Sequence, residues 1–208
     1  MSQKDIPQLI AHRGFSLRYP ENTILSIEQA FIAGACYVEC DVQLTLDGVP
    51  VLLHDSDLQR TTDQSGNVNE LNLEQLSNAS AHFPSKFDKN FANEPVPTLM
   101  QLVELMTRWP QCHVFVEIKR ATIRRFGREF VLQKVVDVVK AIAHQVILIS
   151  FDYETMQLAR KNEAFQTGWV IEEWNSNNLE LAKQLQPDYM FVDYECIPQQ
   201  LEMFPMTN

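Results

Sequence analysis

The chain has 208 residues, of which 45% are hydrophobic and 21% are charged, and its formal net charge is −10. This composition is typical of a globular domain and excludes a disordered or collagen-like chain. The acidic balance argues against a nonspecific nucleic-acid binder, which needs clustered lysine and arginine to neutralise phosphates. One phosphate beside a metal ion is still possible, because the ion brings positive charge of its own.

The N-terminal residues and the cysteines indicate the cellular compartment that we expect for the protein. Residues 1–8 are polar and contain no apolar segment typical of a signal peptide. No apolar run approaches the length of about 18 residues that a membrane-spanning helix needs. Four cysteines (Cys36, Cys40, Cys112 and Cys196) are scattered without CxxC spacing. We therefore expect buried free thiols and a cytoplasmic protein.

The first part of the chain predicts a strand, a helix and a hairpin. Residues 9–11 form a short apolar run that ends at His12. Residues 23–35 place apolar side chains at helical spacing, with Gly34 near the end. Residues 37–46 predict a strand, the pair Asp47-Gly48 predicts a turn, and residues 49–53 predict a second strand.

Residues 56–96 differ from the rest of the chain. They are rich in Asn, Asp and Ser and lack long periodicity, apart from a short piece around 73–76. We interpret this segment as an inserted subdomain or a long functional loop within a single domain that covers residues 1–208.

The second half alternates helices and strands. Helical spacing predicts helices over residues 99–109, 131–142, 153–161 and 179–185, and the start of another over 198–204. Apolar runs predict strands over 113–118, 146–151, 167–171 and 189–192. This alternation predicts a parallel sheet covered on its outer face, either a barrel or an open doubly wound sheet. No GxGxxG or GxxxxGK[ST] motif follows the first strand, which argues against dinucleotide and P-loop folds.

Polar residues cluster at the carboxyl ends of several strands, where parallel α/β folds build their sites. They are His12 and Arg13, His54 and Asp55, Glu117 and Lys119, Ser150 and Asp152, and Glu172 and Glu173.

Two pairs of residues predict a metal site. Glu39 and Asp41 are two apart on one strand and point to the same face, and Glu117 and Lys119 repeat this arrangement on the next strand. Carboxylates that converge in an interior repel each other unless a cation neutralises them. Oxygen ligands favour Mg²⁺, Mn²⁺ or Ca²⁺ over zinc. The alternative is that these acids lie on an exposed face, with Glu117 and Lys119 interacting locally.

Two histidines are candidates for proton transfer. Imidazoles on opposite sides of a metal-bound phosphate suit in-line displacement, because one can take the nucleophile's proton while the other protonates the leaving oxygen. His12 and His54 fit these roles, although the sequence does not assign base and acid, and either residue could instead be structural. Arg13 could clamp phosphate oxygens, and Lys119 could add a second positive charge.

A series of short motifs lies in order along residues 9–195. They are His12-Arg13-Gly14, Pro20-Glu21-Asn22-Thr23, Glu39-x-Asp41-Val42-x-x-Thr45-x-Asp47-Gly48, His54-Asp55, Leu58-x-Arg60-Thr61-Thr62, Pro97-Thr98-Leu99, Glu117-Ile118-Lys119 and Ser150-Phe151. Together they resemble the glycerophosphodiester phosphodiesterase family. The resemblance implies a TIM-barrel phosphodiesterase with a small insertion after the second strand, here residues 56–96.

The resemblance also implies an activity: metal-dependent hydrolysis of small glycerophosphodiesters to glycerol 3-phosphate and an alcohol, by attack of the substrate's own glycerol hydroxyl through a cyclic phosphate. One divalent cation is implied, Mg²⁺ or Ca²⁺, with Mn²⁺ possible. The implied roles are metal ligands at Glu39, Asp41 and Glu117, acid and base at His12 and His54, phosphate contacts at Arg13 and Lys119, metal-site support at Glu21 and Asn22, and substrate-side contacts at Glu172 or Glu173 with Trp174.

The chain length leads to a further expectation. Outside residues 56–96 the chain provides six strand–helix repeats of about 28 residues, whereas eight repeats and the insertion need about 265 residues. We therefore expect a TIM-like (β/α) barrel that lacks about two C-terminal βα units. It is either a shortened or gapped barrel or a sequence whose last units are missing.

Two other functions stay open. One is a non-catalytic module that binds phosphate and metal on an incomplete barrel. The other is a related phosphodiesterase that acts on phosphoinositides or lysophospholipids.

Overall fold

The computed structural model describes residues 8–198, and within them seven strands form one sheet. The strands are β1 (Ile10–His12), β2 (Tyr37–Leu44), β3 (Pro50–Leu52), β4 (His113–Ile118), β5 (Val146–Ser150), β6 (Gln166–Ile171) and β7 (Tyr189–Val192). Their order is β1-β2-β4-β5-β6-β7, and every neighbouring pair on this path is parallel. The short β3 pairs antiparallel with β2.

Helices follow the strands as the alternating pattern predicts. They are α1 (Ile24–Ile32), α2 (Leu73–Leu76), α3 (Pro84–Phe87), α4 (Leu99–Arg108), α5 (Arg120–Phe126), α6 (Arg128–Val139), α7 (Tyr153–Ala159) and α8 (Ser176–Leu185). Short 3₁₀ turns cover Val68–Glu70, Lys140–Gln145 and Tyr194–Cys196. Side chains cap several helices: Thr23 accepts from Ser26 at the start of α1, and Thr98 and Gln101 form a capping box on α4.

The central strands β2, β4 and β5 are buried on both faces of the sheet. Alternate residues of β2, namely Val38, Cys40 and Val42, join the large core beneath the helices. The intervening residues face the concave side, where Phe115 of β4 meets the rings of Tyr189 and Phe191 of β7 with centroids 5.1 and 5.2 Å apart. Because β7 is the third strand from β4, this contact requires the sheet to curl.

The curled sheet forms a half-barrel. Along residues 8–198, β1 and β7 are its two edge strands and do not pair with each other. The predicted TIM-like fold is confirmed, and within the described residues the barrel is incomplete, as expected. The helix predicted over 198–204 lies outside the described residues, apart from Pro198.

The strand β3 brings His54 beside His12. β1 pairs with β2 at residues 37–39, and β3 pairs with residues 42–44 along the same edge. After β3, the amide of Leu53 donates to the carbonyl of Asp41 at 3.0 Å. The antiparallel return therefore carries His54 back to the end of β1.

The segment 56–96 packs against the chain around β3. Its buried apolar residues form a small cluster with Val51 and Leu53; they are Leu58, Val68, Leu76, Ala79, Ala81 and Val96. The short helix expected around 73–76 is present as α2. Whether the segment is a subdomain of its own stays a prediction, as does the single domain over 1–208.

The structure departs from the expectations in some helices and in the cysteines. The short helix α3 was not predicted, because residues 56–96 show no periodicity outside 73–76. Helix α5 was not predicted, because its sequence carries three arginines and buries only Thr122 and Ile123, so no apolar stripe marks it. All four cysteines are free as expected, but Cys36 and Cys196 are exposed. The prediction of buried thiols is thus wrong for these two: Cys36 lies in the connection between α1 and β2, and Cys196 ends the short 3₁₀ turn after β7.

None of the helices within residues 8–198 has the length and apolarity needed to cross a membrane. The cytoplasmic location stays a prediction.

Candidate active site

Three carboxylates meet at one point inside the half-barrel. The register of β2 and β4 sets Asp41 beside Glu117, with Glu39 two residues before Asp41 on the same face. One oxygen from each carboxylate lies within 4.8 Å of the others. All three side chains are buried, and Glu39 Oε1 has no hydrogen-bond partner among the described residues. A buried set of carboxylate oxygens with one uncompensated atom fits a hard divalent cation.

Burial and mutual repulsion disfavour the charged form in part of this carboxylate cluster. Burial, with Asp41 and Glu117 nearby, raises the pKa of Glu39 well above its usual value, and burial raises the pKa of Glu117. Burial would also raise the pKa of Asp41, but Lys119 and Arg13 outweigh it and lower that pKa. Additional positive charge is therefore needed to hold all three carboxylates ionised.

Two basic side chains border the carboxylates. Lys119 Nζ lies 3.0 Å from Asp41 Oδ1 and 2.8 Å from Glu117 Oε1. Arg13 Nε lies 3.2 Å from Asp41 Oδ2, and its backbone amide donates to Glu39 at 3.1 Å. Burial lowers the pKa of Lys119, but the two carboxylates outweigh it and raise that pKa, so the ammonium stays charged.

Asn22 holds Asp41 in place. Its Nδ2 donates to Asp41 Oδ2 at 2.8 Å, and its Oδ1 accepts from the amide of Asp41 at 3.0 Å. Asn22 and Arg13 both adopt left-handed backbone conformations, with φ of +57° and +58°. Gly14 follows at φ +80°, where an added Cβ would lie 2.5 Å from Ser26 Oγ. Close packing of this turn on α1 thus requires glycine.

The two histidines line one cavity with two of the three carboxylates, Glu39 and Glu117. Its volume is about 330 Å³, and its lining residues are Ile10, His12, Arg13, Glu39, His54, Glu117, Lys119, Ile149, Phe151, Val170 and Phe191. His12 Nε2 lies 3.7 Å from Glu39 Oε2. His54 Nδ1 lies 2.7 Å from Asp55 Oδ1.

The remaining candidates lie at different distances from this cavity. Glu172 lines an adjoining pocket of about 320 Å³, which also contains His54, Glu117 and Lys119, and it pairs with Arg120 at 2.7 Å. Glu173 lines neither space; its carboxylate accepts from Asn175.

Ser150 and Asp152 follow β5 but lie outside both spaces. The hydroxyl of Ser150 donates to the carbonyl of Ile118 and accepts from the amide of Asp152. Asp152 caps α7 by accepting from Thr155. Both side chains stabilise the fold in this arrangement.

The sequence reasoning assigned no role to Gln43, Asp55 or Arg60. Gln43 continues the alternation of Glu39 and Asp41 on β2, which is the pattern that could have marked it, and its Nε2 donates to the carbonyl of His54 at 3.0 Å. Asp55 and Arg60 connect His54 to Glu21, a contact between distant parts of the chain that no local pattern predicts.

Comparisons with known proteins find relatives over most of the chain. The model of the family described as "Glycerophosphoryl diester phosphodiesterase family" matches residues 12–197. A glycerophosphodiester phosphodiesterase of Caldanaerobacter subterraneus is 32% identical over 96% of this chain and 84% of the relative. Glycerophosphodiester phosphodiesterase 1 of Bos taurus is 42% identical, but the match covers 50% of this chain and 31% of the relative.

A solved structure shares both the fold and part of the sequence. It is an Oleispira antarctica phosphodiesterase in complex with the product sn-glycerol-3-phosphate, with a TM-score of 0.81 and 27% identity over 93% of this chain and 77% of that chain.

Proposed function

Because the chain belongs to the glycerophosphoryl diester phosphodiesterase family, we propose that it cleaves glycerophosphodiesters to glycerol 3-phosphate and an alcohol, using one divalent cation and two histidines. Relatives named glycerophosphodiester phosphodiesterase, and the neighbour in complex with sn-glycerol-3-phosphate, identify it as an enzyme of this class. The observation that carries the finer proposal is the shared cavity, where two basic side chains and two histidines meet Glu39 and Glu117 of the buried three-carboxylate cluster.

The cation would be held by Glu39, Asp41 and Glu117. These oxygen donors suit Mg²⁺ or Ca²⁺, with Mn²⁺ also possible. When bound, the ion supplies charge neutralisation for the oxygens of a substrate phosphate.

The chain's own residues supply the rest of the chemistry. Arg13 and Lys119 place two positive charges at the cavity wall, where they bind phosphate oxygens and stabilise negative charge that develops during cleavage. His12 and His54 move protons: one takes a proton from the attacking glycerol hydroxyl and the other protonates the oxygen of the departing alcohol, which leaves a cyclic phosphate. A water then opens the ring to glycerol 3-phosphate, as one histidine takes the proton of the water and the other protonates the glycerol oxygen that is released. Glu21 and Asn22 support this arrangement, and Glu172 contacts the alcohol portion of the substrate in the adjoining pocket.

Substrate turnover tests the proposal directly. The purified chain is incubated with glycerophosphocholine, with Mg²⁺, Ca²⁺ or Mn²⁺ or with a chelator, and released glycerol 3-phosphate is measured. We expect release with at least one of the ions and none with the chelator. Release that persists unchanged with the chelator contradicts metal dependence. Faster turnover of lysophosphatidylcholine than of glycerophosphocholine favours a phospholipase-like enzyme instead.

A second candidate is a module that binds phosphate and metal without turnover. The observation that favours it is the sheet of residues 8–198, which is open beside the site, since Ile10 of β1 and Phe191 of β7 line the same cavity from the two edges of that sheet. Calorimetry with the ions and with glycerol 3-phosphate separates the two functions. Binding of both, without hydrolysis of glycerophosphocholine under any ion, supports the module.

A further inference from the structure

We propose that Arg60, which the inserted segment contributes, is a positioning residue that joins the two halves of the site. It holds His54 through Asp55 and holds Arg13 through Glu21. The inference rests on the proposed function for the roles of His54 and Arg13, whereas the connection itself rests on geometry.

The first half of the connection fixes the His54 ring. Asp55 Oδ1 lies 2.7 Å from His54 Nδ1, and Asp55 Oδ2 accepts from Nε of Arg60. Both oxygens of Asp55 are therefore engaged on opposite sides. Because Arg60 donates from a rigid planar group, it determines how the Asp55 carboxylate is presented to the ring.

The second half reaches the phosphate-binding side chain. The two terminal nitrogens of Arg60 donate to the two oxygens of Glu21 at 3.1 and 2.8 Å. Glu21 Oε1 also accepts from Arg13 at 2.9 Å. Arg13 then contacts Asp41, so a continuous series of charged contacts runs from His54 to the carboxylate cluster.

The environment of these groups makes the contacts effective. The side chains of Glu21 and Arg13 are only 11% and 18% exposed, so solvent screens their pairing less than it screens a surface ion pair. The guanidinium of Arg60 also lies over the ring of Phe83, 5.4 Å from its centroid. The inserted segment thus holds Arg60 from a second side.

The geometry determines which nitrogen of His54 carries hydrogen. Burial raises the pKa of Asp55, but Arg60 and His54 outweigh it and lower that pKa, so the carboxylate is ionised and can only accept hydrogen bonds. His54 must then donate from Nδ1. This leaves Nε2 as the nitrogen that takes or returns the proton in the cavity. Asp55 thus fixes the tautomer of the ring, as an orienting carboxylate does beside a catalytic imidazole.

His12 lacks a comparable arrangement among the described residues. Its nearest carboxylate, Glu39, lies 3.7 Å from Nε2, and its side chain is 68% exposed. The contacts of Asp55 and Arg60 therefore position His54 and not His12. Arg60 variants should affect the proton transfer by His54.

The test measures histidine tautomers and turnover on the same set of variants. Protein labelled with ¹⁵N-histidine gives the tautomer of His54 by NMR, with His54→Ala identifying its resonances. We expect hydrogen on Nδ1 in the unmodified chain and a shift toward Nε2–H in Asp55→Asn, because the amide can present a donor to the ring. The expected loss of kcat in Asp55→Asn is about 10² to 10⁴-fold, the upper end being that of a triad aspartate.

Arg60 variants test the connection itself. For Arg60→Gln we expect kcat to fall about 10- to 100-fold, the usual range for a group that orients a site residue, with a smaller change in KM. Arg60→Lys keeps a positive charge but cannot bind Asp55 and Glu21 in the same planar geometry, so an intermediate loss is expected. Arg108→Gln is the matched control, because Arg108 pairs with Glu28 at 3.0 Å and lines neither cavity of the site. Its kcat should be unchanged.

Two results would overturn the proposal: a kcat of Arg60→Gln within twofold of the unmodified chain, or a His54 tautomer in Asp55→Asn that is the same as in the unmodified chain. Thermal unfolding of every variant identifies losses of kcat that come from misfolding. If Arg60→Gln does not fold, the kcat of Arg60→Lys takes its place, and a value within twofold of the unmodified chain overturns the proposal. The tautomer measurement needs no substrate. A chain that shows hydrogen on Nδ1 but no hydrolysis therefore refutes the proposed function and leaves the positioning role supported.

Discussion

Replacing Asp41 with asparagine should selectively weaken cation binding. Asp41 is the most buried carboxylate of the cluster, and it is held by Asn22, Lys119 and Arg13. Asparagine has nearly the same shape, so the substitution removes one charge and leaves an amide oxygen as a weaker ligand. Lys119 keeps its contact with Glu117 at 2.8 Å, and thus the basic side chain is not left unpaired.

The distances set the size of the effect. A cation bound among three oxygens that lie within 4.8 Å of one another is closer than 4.8 Å to each, so its attraction to one carboxylate charge exceeds about 3.5 kcal/mol at an effective dielectric constant of about 20. Removing one carboxylate charge from such a cluster should therefore lower cation affinity by at least about 100-fold, which corresponds to about 2.7 kcal/mol. At an ion concentration about 100 times the original Kd, bound ion stabilises the unmodified chain by about 2.7 kcal/mol but Asp41→Asn by only about 0.4 kcal/mol.

Calorimetric titration with Mg²⁺ and Ca²⁺ measures the affinity, and thermal unfolding with and without ion measures the stabilisation. The rise in Tm on adding ion should be about 5–11 °C in the unmodified chain and about 1 °C in the variant. Asp137→Asn is the control. Asp137 is an exposed carboxylate on the outer helix α6, and it pairs with Lys140 just after that helix. An unchanged Kd in Asp41→Asn would refute the assignment of the cation to this cluster.

Three further predictions concern the histidines, the turn at the site and a helix cap. His12→Ala and His54→Ala should each lower kcat about 100-fold or more at saturating ion, while calorimetry shows unchanged ion affinity; near-normal turnover in either variant would contradict its role. Gly14→Ala should destabilise the fold by more than about 1 kcal/mol in denaturant unfolding, because φ is +80° and the Cβ would lie 2.5 Å from Ser26, and an unchanged midpoint would exclude that strain. Asp152→Ala should cost about 1 kcal/mol through the lost cap on α7, whereas Asp152→Asn keeps the cap and loses the charge. Burial raises the pKa of Asp152, but its arginine and threonine partners outweigh burial and lower that pKa. The stabilisation by the charge is therefore present above the unfolded pKa and is lost as pH falls through the folded pKa. The difference in stability between the unmodified chain and Asp152→Asn should thus shrink on acidification. A difference that grows in acid would contradict this sign.

Much of the fold follows from periodicity. Alternation along β2 correctly separates the side chains of Glu39 and Asp41 from those of Cys40 and Val42, because a strand has a repeat of two. Helix starts were predicted closely where a cap and an apolar stripe coincide, as at Thr98. Helix α5 was missed because it has neither a side-chain cap nor a continuous apolar stripe.

Local patterns carried less information about how the site is connected. Arg60 and Glu21 are 39 residues apart, and their bidentate contact depends on how the inserted segment folds over the start of α1. The role of Gln43 likewise depends on the path of the chain after β3, which places the carbonyl of His54 within its reach.

The sequence by itself determined the residue types of the site, the faces on which Glu39, Asp41 and Glu117 lie, and the shortage of strand–helix units. These follow from strand period, chemical type and length, which are properties of the chain read locally. Only the tertiary structure decided the register that sets Asp41 beside Glu117, the antiparallel return that carries His54 to His12, and the contacts of Arg60. These depend on hydrogen bonds and charge pairs between segments distant in the chain, whose partners are selected only when the sheet curls and the helices pack.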